Sequence, residues 1–369
     1  MKIAGLVGTD GGVSFAAEDF HNALRRVGEN TGNTLFQRAM WDLVKGPKIS
    51  AGPGVLPAEK LREIVDVLVI PAANQINPHF NMKVWADYVE VADLPCVVVG
   101  LGAQSDDPFL PAEELVLPEA VRRFARTISE KSQVIGVRGE FTKRVLASIG
   151  VNNTVVTGCP SQTLNLRVSG EQIARNLDRA KSSIDLTVAI LGGTLQEYTR
   201  SVEKTLYSAV KSMRNHICVY QTEPRILRFL HERYVDDDAR LFITWMNGLV
   251  RPDLKIDQFF YYLATQGRFY SDARSWIDAM RRMDLAIGMR IHGAVAAIQA
   301  GRLGICVAFD SRTLELARTM GVPYILAQDV KEGQSLKDLL DIVHFDANDF
   351  EEKRQRNIAA IMEIVSAIN

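Results

Sequence analysis

Short runs of apolar, often β-branched residues recur along the chain, and most are followed by a segment with apolar positions at helical spacing. In the first half of the chain such runs cover residues 65–71, 96–100 and 133–137, and a shorter one begins at Val155. Fully apolar runs of this length are typical of strands buried on both faces of a parallel sheet, and the segments between them are typical of crossover helices. The pattern therefore predicts an α/β domain built on a parallel sheet.

A second series of the same kind begins near residue 185. Its predicted strands, each trailed by a helical segment, are residues 185–191, 216–221, 240–245, 268–271, 284–288 and 305–309. A final helical segment at 349–368 follows the point where the second sheet should be complete. A chain of 369 residues exceeds one ordinary hydrophobic core, so the two series predict two domains.

This organisation resembles the GT-B architecture, in which two open, Rossmann-like parallel-sheet domains face a cleft. We predict an α/β domain at residues 1–168, a linker at 169–183, a second α/β domain at 184–345 and a C-terminal helix at 346–369. In open parallel sheets, ligands bind at the loops that follow the carboxyl ends of the strands. Candidate functional residues should therefore stand directly after predicted strands.

The composition is that of a globular protein without a strong charge imbalance. Apolar residues make up 47% of the chain, and 43 Lys and Arg residues nearly balance 44 Asp and Glu residues. Nucleic acid and anionic membranes favour a basic surplus, so we expect no nucleic-acid partner. No apolar run reaches the roughly 18 residues of a membrane-spanning helix, and the first residues show no signal-peptide pattern, so we expect a cytoplasmic protein.

The four cysteines are scattered and form no CxxC pair: Cys96, Cys159, Cys218 and Cys306. Three of them lie in apolar runs, where a thiol acts as a small hydrophobic group, so we expect reduced core cysteines. The sequence has no HExxH motif, cysteine–histidine set or carboxylate triad of the kind that binds metals, and no GxSxG motif of serine hydrolases. We expect no metal and no cofactor.

Two arginines stand at equivalent places in the two predicted domains. Arg138 follows the strand that ends at residue 137, Arg290 follows the strand that ends near residue 288, and a helix comes next in each case. A guanidinium at a strand end beside a helix N-terminus can bind carboxylate or phosphate, although it can equally pair with a neighbouring carboxylate. His292 could cap the following helix or transfer a proton near neutral pH.

These residues lie in segments that resemble the polysaccharide pyruvyltransferase family. Residues 284–322, DLAIGMRIHGAVAAIQAGRLGICVAFDSRTLELARTMGV, resemble its pattern of strand, R-x-H, small-residue helix, second strand, and aromatic-Asp before a basic residue. Residues 135–158, IGVRGEFTKRVLASIGVNNTVVTG, resemble its block in which V-R-x-x-x-[ST] leads a helix that ends in Gly-Val. GENTGN at residues 28–33 resembles its G-N-x-G-[DN] loop, and Gly100-Leu-Gly102 matches its strand-end Gly-x-Gly.

The resemblance implies transfer of a pyruvyl group from phosphoenolpyruvate to a pair of sugar hydroxyls, which gives a pyruvate ketal. The second domain is then the donor side, the first is the acceptor side, and the acceptor is a polysaccharide precursor or a lipid-linked oligosaccharide in exopolysaccharide biosynthesis. The resemblance is compatible with a homo-oligomer and with peripheral membrane contact through the acceptor.

By position, the resemblance makes His292 the leading candidate for the general acid or base. The implied substrate-binding residues are Arg138, Arg290, Arg312, Asn33 and Gly102. The arginines would clamp the anionic donor. A carboxylate could be the acid instead, and the sequence leaves Glu140, Glu223 and Asp310 open for that role.

The chain departs from the family pattern at three places. The family usually has Lys at the position of Arg312, Asp at the position of Asn33, and a glycine pair at Ala72-Ala73. A guanidinium keeps the charge but is a poor proton donor. Two other functions stay open: a GT-B-type glycosyltransferase that uses a nucleotide sugar, and a non-catalytic sugar-binding domain of the same fold.

Overall fold

A computed structural model describes residues 2–193 and 195–368 of the chain. In this part of the chain, twelve strands form two six-stranded sheets, one in each half, and all strand pairs within the sheets are parallel. The predicted α/β fold with two open, GT-B-like parallel-sheet domains is confirmed. No helix in the described ranges has both the length and the apolar character that crossing a membrane requires.

The first sheet carries the N-terminal half of the chain. Its strands are β1 (Ala4–Val7), β2 (Lys48–Ala51), β3 (Val67–Pro71), β4 (Cys96–Leu101), β5 (Ile135–Val137) and β6 (Thr154–Val156). The helices between them are α1 (Phe20–Arg26), α2 (Asn33–Leu43), α3 (Ala58–Ile64), α4 (Lys83–Ala92), α5 (Glu119–Lys131) and α6 (Glu140–Ser148). The strand order is β2-β1-β3-β4-β5-β6, so the direction of chain progression reverses between β1 and β3. Strands β3 and β4 are buried along their whole length, which explains their uniformly apolar sequences.

The second sheet has the strand order of a Rossmann domain, β9-β8-β7-β10-β11-β12, which reverses between β7 and β10. Its strands are β7 (Val188–Leu191), β8 (His216–Val219), β9 (Gly267–Arg268), β10 (Leu285–Gly288), β11 (Leu303–Ala308) and β12 (Tyr324–Leu326). The helices of this half are α7 (Gly170–Ser182), α8 (Arg200–Val210), α9 (Pro224–Glu232), α10 (Asp237–Val250), α11 (Ile256–Gln266), α12 (Ala273–Met280), α13 (Ile291–Gln299), α14 (Ser311–Met320), α15 (Leu336–Asp341) and α16 (Ala347–Ser366).

The strand predicted at residues 240–245 is wrong, because this segment lies inside helix α10. Asp236 caps the helix by accepting a hydrogen bond from the backbone N–H of Ala239 at 2.8 Å. Ile243, Met246 and Val250 follow at helical spacing and are buried. The apolar run LFITW, taken alone, matches the pattern of a strand. Within the 14 residues of α10, however, the buried residues recur at helical spacing and form one face of the helix.

The segment predicted as a partly helical linker forms helix α7, which Ser169 caps through a hydrogen bond from the backbone N–H of Gln172. Helix α16 then packs on the first sheet. Its residues Ile361, Ile364 and Val365, together with Ile368 just after its end, share a core with apolar residues of strands β1, β3 and β4: Ala4, Leu6, Val67, Val69, Val97 and Val99. The last helix of the chain therefore covers one face of the first sheet.

The N-terminal half also contributes to the core of the second sheet. Phe20 and Leu24 of α1 and Phe36 of α2 belong to the hydrophobic cluster that surrounds β7 and β10. The backbone N–H of Val13 donates to the carbonyl of Ser271 at 2.9 Å, which holds the preceding loop against the second domain. Each half of the chain thus packs an element on the opposite sheet.

Candidate functional site

The two predicted arginines emerge from strand ends, one in each domain. Arg138 directly follows β5, is 1% exposed, and donates from Nε to the carbonyl of Gly100 at 3.0 Å. Arg290 comes two residues after β10 and is 8% exposed. It donates from Nε to the carbonyl of Gly192 at 3.3 Å and from Nη2 to the hydroxyl of Thr222 at 2.6 Å. Because Gly192 directly follows β7, Arg290 spans the point where the strand order of the second sheet reverses.

Gly102 matters because of how closely Arg138 lies against it. A Cβ atom at Gly102 would stand 2.6 Å from Cδ of Arg138, so a larger residue would displace the arginine side chain. Among the residues that the structure describes, Nη2 of Arg138 is buried without a hydrogen-bond partner. Burial lowers the pKa of Arg138, and the nearby charge of Arg312 lowers it further. The side chain is therefore a confined cation whose buried Nη2 is left for a ligand.

Arg312 is held at the start of helix α14 beside a buried aspartate. Asp310 caps this helix by accepting at Oδ1 from the backbone N–H of Thr313 at 2.7 Å. Its Oδ2 lies 3.4 Å from Nη2 of Arg312 and 3.3 Å from Nε2 of Gln104, which comes from the first domain. Nε of Arg312 is buried and has no partner within the described ranges. Asp310 thus orients Arg312 and leaves its buried Nε without a partner.

The positive charge of Arg312 affects the pKa of each of the other three side chains. Burial and the charge of Arg312 lower the pKa of Arg290 to about 10. Burial, followed by the charges of Arg138 and Arg312, holds the pKa of His292 well below 6.5. The structure therefore brings together the three predicted arginines and His292, with the imidazole neutral at neutral pH. Three cations beside a neutral imidazole are suited to a small ligand with several negative charges.

His292 is the second residue of helix α13, which lies close against its sheet. A Cβ atom at Gly304 of β11 would stand 2.1 Å from the carbonyl of Ala294, so this approach requires a glycine. The imidazole packs on Phe36, with ring centroids 5.5 Å apart, and Nε2 lies 3.6 Å from Sγ of Cys159. The small residues after His292 thus allow α13 to pack closely against the sheet, as the sequence pattern predicted.

The loop that ends at Asn33 reaches across to the second domain. The backbone N–H of Thr31 donates to the carbonyl of Gln221 at 2.9 Å, and a Cβ atom at Gly32 would lie 3.2 Å from Cβ of His292. Asn33 begins helix α2 and donates from Nδ2 to the carbonyl of Val27 at 2.8 Å. The structure therefore places Asn33 next to the His292 region, although its own side chain is used within the loop.

A cavity of about 600 Å³ lies beside this loop, at the carboxyl ends of β1, β2 and β3. Asn33, Phe36, Gln37, Gln75 and Trp85 are among its lining residues. It occupies the point where the strand order of the first sheet reverses, which is the usual ligand position in such sheets. Since Phe36 also contacts His292, the cavity adjoins the arginine site.

Two buried glutamates belong to the site and were missed by sequence reasoning. Burial raises the pKa of Glu203 to about 7; this carboxylate accepts a hydrogen bond from the backbone N–H of Gly193 and feels the charge of Arg290. Burial also raises the pKa of Glu315 to about 7, while hydrogen bonds from Thr142 and the charge of Arg138 oppose the rise. A glutamate on the apolar face of a predicted helix was the signal available in the sequence.

The three alternative acids occupy different surroundings. Glu140 is exposed at the start of α6. Glu223 caps α9 and accepts from Nε of Arg225 at 2.6 Å, so an arginine outside the site engages it. Asp310 is fully buried beside Arg312, so it is the one of the three that contacts a predicted site arginine.

Fold and site together define an α/β protein of two parallel-sheet domains, with a cluster of arginine side chains assembled from the strand ends of both. The sequence model of the family named Polysaccharide pyruvyl transferase matches residues 24–311. The chain therefore belongs to the polysaccharide pyruvyl transferase family. The matched range includes Arg138, Arg290 and His292 and ends one residue before Arg312.

No curated protein sequence matches the chain. Among solved structures, UDP-GlcNAc 2-epimerase of Methanocaldococcus jannaschii with UDP-GlcNAc and UDP is similar over 98% of this chain and 99% of its own, at 12% identity and a TM-score of 0.46. MnaA of S. aureus with UDP is similar over 99% and 91% of the two chains, at 9% identity and a TM-score of 0.42. A glycosyltransferase of Rickettsia africae is similar over 99% and 94%, at 10% identity and a TM-score of 0.39.

Proposed function

We propose that this protein transfers the pyruvyl group of phosphoenolpyruvate to two hydroxyls of a sugar in a polysaccharide or its precursor, forming a pyruvate ketal. The observation that carries the proposal is the convergence of Arg138, Arg290 and Arg312 beside His292 in a chain of this family. Phosphoenolpyruvate bears a carboxylate and a phosphate on a three-carbon frame, so its binding requires several cations. The buried donors left on Arg138 and Arg312 suit such a ligand.

The reaction begins when the methylene carbon of phosphoenolpyruvate takes up a proton, which gives cationic character to the carbon that bears the phosphate. One sugar hydroxyl attacks that carbon, and a second hydroxyl then displaces phosphate and closes the ketal ring. The three guanidinium groups orient the donor and offset the charge of the departing phosphate. His292 passes the proton, a contribution typically worth about 10²–10⁴-fold in rate.

The cavity at the ends of β1, β2 and β3 supports a sugar acceptor in the first domain. Trp85 offers an aromatic surface for a sugar ring, and the amides of Gln37 and Gln75 can bond hydroxyl groups. The cavity adjoins Phe36, which packs on His292, so a sugar bound there would present its hydroxyls toward the donor.

The test is to incubate the full-length protein with phosphoenolpyruvate and a panel of acceptor glycans. We expect phosphate release that depends on an acceptor, together with a pyruvate ketal on that acceptor by mass spectrometry and NMR. A nucleotide-sugar panel runs in parallel. Tight binding of a nucleotide sugar without binding of phosphoenolpyruvate would contradict the proposal and favour a glycosyltransferase.

His292→Asn separates catalysis from binding in the same assay. Asn keeps a small polar group but cannot relay a proton, so affinity for phosphoenolpyruvate should change little while turnover falls by on the order of 10²-fold or more. The thermal midpoint shows whether the variant is folded. Near-normal turnover of the folded variant would remove His292 from the chemical step.

A further inference from the structure

Cys159 lies against the imidazole of His292, although the two residues are far apart in sequence. Cys159 follows β6, precedes the short 3-10 turn Pro160–Thr163, and is fully buried. Its Sγ lies 3.6 Å from Nε2 of His292, and Ser161 donates a hydrogen bond from Oγ to the same sulfur at 3.1 Å. The remaining cysteines lie within strands: Cys96, Cys218 and Cys306. Cys159 therefore differs from the strand cysteines in that its sulfur contacts a candidate site residue, His292.

The hydrogen bonds around Cys159 favour one tautomer of His292. Ser161 donates to the sulfur, so the thiol hydrogen is free to point at Nε2 of the imidazole. A neutral imidazole that accepts at Nε2 carries its hydrogen on Nδ1. Within the described residues Nδ1 makes no hydrogen bond, which leaves it as the ring nitrogen available to a substrate.

A neutral His292 has no surplus proton to give. Its burial between the charges of Arg138 and Arg312 holds the pKa far enough down that an imidazolium is scarce at neutral pH. A neutral ring can still deliver the hydrogen on Nδ1 if another group supplies one to Nε2 in the same step. The group in contact with Nε2 is the thiol of Cys159.

We propose that Cys159 is the proton source of the pyruvyl transfer and acts through His292; this inference rests on the proposed function above. Nδ1 of His292 gives its hydrogen to the methylene carbon of phosphoenolpyruvate, where a C–H bond forms, while the S–H bond of Cys159 breaks and Nε2 takes that hydrogen. The imidazole stays neutral and only changes tautomer. The negative charge ends on the sulfur, where the hydroxyl of Ser161 and the charge of Arg138 stabilise it.

The second half of the reaction restores the relay without any oxidation or reduction. When the sugar hydroxyl attacks the cationic carbon, it loses a proton to Nδ1 of His292. Nε2 then returns its hydrogen to the sulfur, so thiol and tautomer are as they were. The proton of the second hydroxyl leaves with phosphate. Cys159 touches the imidazole and not the substrate, so it is a positioning and relay residue.

The first test compares Cys159→Ala and Cys159→Ser with Cys96→Ser, a control that replaces a buried thiol in β4. Affinity for phosphoenolpyruvate should stay within about threefold of wild type in all three, because the arginines carry binding. Turnover should fall on the order of 10²-fold in Cys159→Ala. Cys159→Ser should change the pH profile of kcat, because a hydroxyl gives up its proton less readily than a thiol. The control Cys96→Ser should match wild type in affinity and in turnover.

Two outcomes of this test would overturn the relay. Wild-type turnover in folded Cys159→Ala would show that no proton passes through the thiol. A joint loss of affinity, turnover and thermal midpoint in Cys159→Ala, with full activity and an unchanged pH profile in Cys159→Ser, would show that Cys159 only packs the site.

The second test is independent of turnover and reads the tautomer of His292 by ¹⁵N NMR of histidine-labelled full-length protein. His292→Asn assigns the signal among the six histidines. We expect the Nδ1–H tautomer in wild type and a shift toward Nε2–H in Cys159→Ala. An Nε2–H tautomer in wild type would overturn the relay whatever the turnover. If the Nδ1–H tautomer is found but no acceptor-dependent phosphate release is seen, the proposed pyruvyl transfer is contradicted, and with it the relay that rests on it. The contact between the thiol and the imidazole would still be supported.

Discussion

Arg290 illustrates how single side chains build the site. Its Nε and Nη2 are bonded to a carbonyl and a hydroxyl, and within the described residues it makes no direct ion pair with a carboxylate. The guanidinium remains charged at neutral pH although burial and Arg312 lower its pKa to about 10. A buried cation without a direct counter-ion is stabilised when an anion binds; within the described residues this applies to Arg138 and Arg290, whereas Arg312 lies beside Asp310.

Replacing Arg290 with Ala should abolish measurable binding of phosphoenolpyruvate. Loss of a charge-assisted contact that leaves its partner buried costs roughly 2–5 kcal/mol. The thermal midpoint should change little, because the substitution also removes repulsion between Arg290 and Arg312. Isothermal titration measures the dissociation constant, and Arg175→Ala, at an exposed surface ion pair, is the control. An unchanged dissociation constant in Arg290→Ala would place the anion elsewhere.

Glu203 should make stability depend on pH in a direction that can be worked out. Its folded pKa is raised to about 7 from 4.5, so between these values the folded protein keeps a proton that the unfolded chain has lost. The stabilising contribution is complete below pH 4.5 and is lost as pH rises through about 7. The difference amounts to roughly 3 kcal/mol.

Glu203→Gln cannot ionise and keeps an oxygen for the N–H of Gly193. Its free energy of unfolding relative to wild type should therefore rise by up to roughly 3 kcal/mol between about pH 4.5 and 7.5. Urea unfolding across this range measures the effect, and Glu332→Gln, at an exposed ion pair, is the control. A difference between variant and wild type that does not vary with pH would contradict the assignment.

At the scale of elements, helices α6 and α14 connect the two domains through one buried carboxylate. Glu315 of α14 accepts hydrogen bonds from the backbone N–H and the hydroxyl of Thr142 in α6, each at 2.7 Å. The same hydroxyl accepts from the backbone N–H of Ala103 at 2.9 Å. The contact therefore fixes the helix that follows Arg138 against the helix that carries Arg312.

Thr142→Val keeps the shape of the side chain and removes this hydroxyl. Two buried polar groups, an oxygen of Glu315 and the N–H of Ala103, lose a partner, so unfolding should become easier by about 2–4 kcal/mol. Denaturant unfolding measures the change. Thr244→Val, at an exposed hydroxyl bonded within α10, should change stability far less. Equal effects of the two substitutions would show that the contact between α6 and α14 is unimportant.

At the scale of the whole molecule, each half of the chain completes the core of the other. Helix α1 and the first turn of α2 pack into the cluster around β7 and β10, whereas α16 packs on β1, β3 and β4. Such exchange makes the stability of one domain depend on the other, so we expect a single cooperative unfolding transition.

Ile361→Ala tests this coupling. Ile361 is fully buried between α16 and the first sheet, so the cavity left behind should cost about 2–5 kcal/mol and lower the midpoint of the whole transition. Met362→Ala, its exposed neighbour on the same helix, is the matched control. Differential scanning calorimetry that resolves two transitions, with only one of them shifted, would show that the domains unfold independently.

The sequence by itself determined that the chain forms two parallel sheets and where the candidate arginines lie, although β1, β2 and β12 were not among the predicted strands. Strands buried on both faces need uninterrupted apolar residues, so β3, β4 and β10 stand out and were predicted to within two residues at either end. A residue directly after such a strand must lie at its carboxyl end, so the sequence alone places Arg138 and Arg290 at the ends of their strands. The family motifs added His292 and Arg312 for the same positional reason.

Only the tertiary structure decided which of these residues meet and what else stands among them. Periodicity reports that a helix has a buried face but not what covers it, so it did not predict α16 on the first sheet. The run LFITW taken alone predicted a strand. The segment is helical instead, because Asp236 caps α10 and the helix buries one of its faces. Cys159 and His292, or Glu315 and Thr142, touch across more than a hundred residues of sequence. The burial of His292 and Glu315, and the pKa changes that follow from it, arise only once the two domains pack against each other.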